Sequence, residues 1–106
     1  MAYDPGLLAR CLDRLEELGP GPFRHKSVFG MRGLLRGSRM FAAVGEDAII
    51  VRLPRDELSQ ALRRRRVRPF SPDGQRLGTW VEVDGTAIAD DPELRDWLAA
   101  GLRSLG

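Results

Sequence analysis

The chain reads as a two-layer α+β domain: an antiparallel sheet of about five strands with helices on one face, in the order α-β-β-β-α-β-β-α. Three observations predict it. An amphipathic helical stretch stands near each end, each opened by Asp-Pro; between them the hydrophobic period shortens toward that of strands; and glycine-containing turns punctuate this middle region at hairpin spacing. With 106 residues, 42% of them hydrophobic and 30% charged, there is material for one core, so residues 1–106 read as a single domain.

The first helix starts where Asp4 can accept from free N–H groups and Pro5 occupies the first helical position, where its missing donor costs nothing. Leu8, Cys11, Leu12, Leu15 and Leu18 recur at helical spacing as one buried stripe, and Gly19-Pro20 stops the helix after about Leu18. Phe23 to Phe29 is a weakly patterned first strand, with Gly30 and Gly33 marking a bend or bulge. Gly37-Ser38 fits a tight two-residue turn joining Leu34-Leu35 to Arg39–Val44, and Gly45-Glu46-Asp47 turns the chain again into Ala48–Leu53. A short helix from Pro54 to about Arg65 comes next, then a proline-rich corner from Pro69 to Gly78, then the strand Thr79–Val83, ended by Asp84-Gly85. Asp91 as cap, Pro92 and Glu93 open the last helix, whose Leu94, Trp97, Leu98, Leu102 and Leu105 share one face.

Strand alternation puts Val81 and Val83 on one face of the sheet and Trp80 and Glu82 on the other. Trp80 then has two readings. On an open outer face it is an association anchor; under the Pro69-Phe70 segment it is ordinary packing, the commoner fate of such a residue.

Charge separates along the chain although the formal net charge is only +2. Between Arg63 and Arg76 six arginines stand against Asp73 alone, whereas between Glu82 and Asp96 six acids stand against Arg95 alone, which points to a basic end and an acidic end of the fold. Four successive helical residues span about 300° of the circumference, so Arg63, Arg64, Arg65 and Arg66 cannot all lie opposite Leu58 and Leu62. Either the helix ends within the run or one arginine turns inward. Arginines in a last turn complement the helix dipole without further function. With Arg68 added, the same residues could form a phosphate-binding patch for nucleic acid, without the aromatic interleaving or helix-turn-helix pattern of a sequence reader.

Catalytic and cofactor chemistry finds little support. His25 is the only histidine and falls on a strand, where partial exposure and solvation are the usual reading. Cys11 lies on the leucine stripe, where burial suppresses the thiolate, and a lone cysteine agrees with a reducing compartment. One cysteine and one distant histidine do not make a zinc site, and Gly30, Gly33 and Gly37 lack the order of a phosphate-binding loop, so no metal, no cofactor and no catalytic residue is expected. Neither a membrane span nor a signal peptide is legible, and the expected location is the cytoplasm.

The Phe29-Gly30 step, Gly37-x-x-Met40-Phe41, Arg52 after an apolar strand, the Arg68-Pro69-Phe70 corner and Trp80-Val81-Glu82-Val83 occur together in an order that resembles the TfoX N-terminal domain family across nearly the whole chain. Val28 stands where many relatives have methionine before Phe-Gly. The resemblance implies the same α+β fold and a noncatalytic bacterial regulatory module. Longer members carry a second domain and assist the cyclic-AMP receptor protein at competence promoters; this chain is expected to be a stand-alone N-terminal domain. The preferred expectation is therefore a regulatory or adaptor module that binds a protein, either transcription machinery or a second copy of itself. The alternative is a nonspecific nucleic-acid-binding accessory using Arg63–Arg66 and Arg68.

Overall fold

The structure, a computed structural model, describes residues 3–106. Helix α1 spans Pro5–Glu17, opened by the Asp4 carboxylate, which accepts from the Gly6 N–H at 2.9 Å. Its leucine stripe packs as expected, with Leu8, Cys11 and Leu15 buried beside Leu7.

Four strands follow rather than three: β1 (Phe23–Val28), β2 (Met31–Arg36), β3 (Arg39–Val44) and β4 (Ala48–Arg52). The segment expected to be one strand with a bend is a hairpin, because Phe29 and Gly30 form a two-residue turn with φ of 52° and 79° that brings Val28 opposite Met31. The hairpin between β2 and β3 turns at Gly37-Ser38 as read, with Gly37 at positive φ in the first central position. The sheet irregularity lies elsewhere than at Gly30 or Gly33. Between the pairs Leu34↔Ala42 and Leu35↔Met40, residue Phe41 is extra, a bulge in β3. The bulge lets Phe41 and Ala42 both serve the core, where Phe41 meets Phe23 edge-to-face at 6.3 Å.

After β4, a 3-10 turn at Arg55–Glu57 runs into the one-turn helix α2 (Leu58–Ala61), which stops before the arginines. The chain then turns through Arg66, at φ 70°, into the three-residue strand β5 (Val67–Pro69). Pro69 is acceptable there because β5 is an edge strand and needs no second row of donors. Strand β6 (Trp80–Asp84) pairs with both β4 and β5, completing a six-stranded antiparallel sheet in the order β1-β2-β3-β4-β6-β5.

Helix α3 spans Asp91–Arg103. Its N-cap position is Asp90 rather than Asp91; the Asp91 carboxylate turns instead to α1, accepting from Arg10 and Arg14 at 3.0 Å each. Arg10 also donates to the Ile88 and Ala89 carbonyls, tying α1 to the chain entering α3. Glycine lets α3 approach the sheet closely: a Cβ at Gly101 would lie 3.0 Å from the Phe41 carbonyl oxygen. The core therefore fills one side of the sheet, from Leu34, Phe41, Ile49, Val51, Val81 and Val83 to Leu94 and Leu98.

Candidate functional site

Among the described residues the opposite side of the sheet carries no helix, and strand register fixes what it displays. Val28 faces Met31, Gly33 faces Ala43, Leu35 faces Met40, and Ala43 continues to Ile50, all directed away from the helical layer. Gly33 makes the floor of this face: a Cβ there would meet Met40 Sδ at 2.7 Å and Val28 Cγ2 at 3.0 Å, so the missing side chain leaves room for the methionine. Trp80 is half-buried on the same face, opposite Arg52.

The segment from Phe70 to Thr79 folds back beside it. The Phe70 N–H donates to the Trp80 carbonyl, the Leu77 N–H to the Phe70 carbonyl, and the Trp80 N–H to the Leu77 carbonyl, each at 3.0 Å. Trp80 packs beside Phe70 and lines an apolar pocket of about 90 Å3 with Met31, Met40, Ile50, Phe70 and Leu77. At the pocket's margin Phe29 is 75% exposed and Leu77 44%.

Phe29 incurs two costs. A non-glycine residue at positive φ is disfavoured by about 1–2 kcal/mol, and an exposed phenylalanine forgoes about 1.5–3 kcal/mol that burial would return. Asn or Gly is the usual occupant of the first position in such a turn. The sequence reading placed Phe29 at the end of a strand and missed its exposure. Phe-Gly is not one of the Asn-Gly, Asp-Gly or Gly-Gly pairs that mark a two-residue hairpin, so Gly30 alone hinted at the turn.

Charged side chains rim the face. Arg24 and Lys26 share the outward side of β1 with Val28 and are exposed; Arg52 lies beside Trp80. None of the three forms an ion pair among the described residues. Of the acids on this face of β6, Glu82 is paired, whereas Asp84 is hydrogen-bonded but keeps an unpaired charge. Glu82 accepts from Arg68 at 2.7 Å, and Asp84 accepts from the Thr86 N–H and hydroxyl, which holds its carboxyl below the usual range.

Arg63, Arg64, Arg65 and Arg66 are all exposed in the turns beyond α2. They answer the circumference problem by lying outside the helix. The Arg64 guanidinium stacks over Trp97, 4.9 Å from the ring centroid. Arg64 and Arg103 share a groove of about 440 Å3 with Glu57, Glu93 and Asp96, and Arg65 and Arg66 border a neighbouring hollow with Glu93. The acidic start of α3 thus faces the arginine turn instead of occupying a separate end of the molecule. Arg68 lies on the outer face with Glu82, while Arg63, Arg65 and Arg66 make no ion pair among the described residues.

His25 is exposed on β1, and its Nδ1 accepts from Arg32 Nε at 2.9 Å. Cys11 is fully buried, and desolvation pushes its thiol from an ordinary 9.0 to about 12, against a smaller opposing effect of Arg10. Among the described residues no group of three or more His, Cys, Asp or Glu side chains is placed to hold a metal ion, and no helix is long and apolar enough to cross a membrane.

No curated protein and no solved structure matches the chain. The family comparison does match: the TfoX N-terminal domain aligns with residues 13–105, from the middle of α1 past the end of α3. With the helices, the sheet and the Phe29-Gly30 hairpin all falling within or beside that span, the chain belongs to the TfoX N-terminal domain family.

Proposed function

We propose that the protein is a noncatalytic regulatory or adaptor module that works in transcriptional regulation through protein–protein contact. The observation that carries this reading is the outer sheet face, where Phe29 and Leu77 stand exposed at the margin of an apolar pocket. Exposed aromatic and aliphatic side chains around a concave apolar site are the composition of an interface centre. A buried thiol with a raised pKa and a lone exposed histidine supply poor material for nucleophilic catalysis, which supports the noncatalytic part.

Sedimentation velocity together with affinity capture at physiological salt tests it, using the wild type beside Phe29→Asn. A protein partner or a dimer that the wild type retains and the variant loses is the expected result. A monomer that captures nothing, or the same set with both proteins, contradicts it.

Exposure of Arg63–Arg66 favours a second reading, nonspecific nucleic-acid binding. It is tested by titrating random-sequence duplex and single-stranded DNA across a salt series, beside a variant with all four arginines changed to serine. Binding that weakens steeply with salt and disappears in the variant supports it. Salt-independent binding, or binding unaffected by the substitutions, removes it.

A further inference from the structure

We infer that the outer sheet face docks a partner segment that combines apolar anchor residues with acidic ones. The inference rests on the protein-binding reading above and adds the chemistry of the partner. Shape and composition come first. The pocket beside Trp80 has a volume of about 90 Å3 and an almost wholly apolar lining, so it accepts a single apolar side chain. Phe29, 75% exposed at its margin, provides a projecting surface against which a second one packs. Such a site holds a short segment with a few apolar anchors.

Charge decides the remainder. Arg24, Lys26 and Arg52 rim the face without an ion-pair partner among the described residues, whereas Glu82 is bridged to Arg68, and Asp84, kept ionised by its hydrogen bonds from Thr86, is the one unpaired carboxylate on this face of β6. The free charge of this surface is therefore net positive. A second copy laid face to face would set one basic rim near another with few free carboxylates to offset it, so self-association is disfavoured. A partner carrying Asp or Glu beside its anchors meets all three cations.

Selection of a displayed random library of peptides about a dozen residues long, followed by fluorescence-anisotropy titration of the enriched sequences, reads that chemistry directly. The expected consensus contains aromatic or branched aliphatic residues together with Asp or Glu. Affinity should fall about tenfold or more with Phe29→Asn and with Leu77→Ser, because truncating an anchor costs about a decade, and by a similar factor with Arg24→Glu and Lys26→Glu combined, because the two reversals replace attraction by like-charge repulsion. Added salt should weaken binding. Enriched peptides that are neutral or basic yet depend on Phe29 would overturn the acidic-partner inference and leave the protein-binding reading standing. Enrichment of nothing that depends on Phe29 or Leu77 would overturn both. Dimerisation of the wild type that Phe29→Asn abolishes would overturn the inference in favour of a second copy.

Discussion

At Phe29 the proposed recognition role and the stability of the fold make opposite demands on a single position. Its backbone lies at φ 52° and its ring is 75% exposed, so the fold gains nothing from either property. Phe29→Asn creates Asn-Gly, the preferred pair for this turn, and should raise stability by about 0.5–1 kcal/mol in urea denaturation. A variant that is more stable and yet binds less is the signature expected of a residue held for recognition. Cys11 gives a second prediction, in pH. Its folded pKa of about 12 lies above the ordinary 9.0, so the native state keeps a proton that the unfolded state releases. The associated stability is intact below pH 9 and is lost as pH rises through the interval from 9 to about 12, at up to about 1.4 kcal/mol per pH unit. Denaturation of Cys11→Ala across that interval should lack this component. Equal slopes for the two proteins would contradict the burial argument.

Among the elements, α3 makes a close approach to β3 that leaves little room for a side chain at Gly101. A Cβ at Gly101 would sit 3.0 Å from both the Phe41 ring and its carbonyl oxygen, and the latter is backbone that cannot swing aside. Gly101→Leu should therefore destabilise by about 1–3 kcal/mol through overpacking, measured by chemical denaturation. The elements also differ in how far the sequence announces them. Both long helices were legible because Asp-Pro openings and three-to-four spacing of leucines are local signals, although the Asp91 carboxylate turns to Arg10 and Arg14 of α1, 81 and 77 positions away in sequence, instead of capping. The β1–β2 hairpin was obscured because β1 is an edge strand with only its first and last residues partly buried, leaving no alternation to read. In β3 the Phe41 bulge breaks the period of two, so the sequence does not reveal that Met40 belongs to the outer face while Phe41 and Ala42 belong to the core. Trp80, on the regular strand β6, was placed correctly by alternation alone.

For the whole molecule, the two sides of the sheet have different tasks. One side buries its valines, isoleucines and leucines under α1 and α3; the other keeps a small apolar pocket, an exposed phenylalanine and a basic rim. The charge separation seen along the chain does not become two opposed poles, because folding brings Arg64 and Glu93 to one groove. That leaves the outer face as the surface with unspent apolar area, and recognition of a protein there is the central claim. In-cell photocrosslinking tests it most directly, with a photoreactive benzoylphenylalanine replacing Leu77 in the pocket margin or, as a control, Glu16, an exposed residue on α1. A discrete protein adduct from position 77, absent from position 16 and lost when Phe29→Asn is added, is the predicted result. No adduct from position 77, or the same adducts from both positions, would contradict the account.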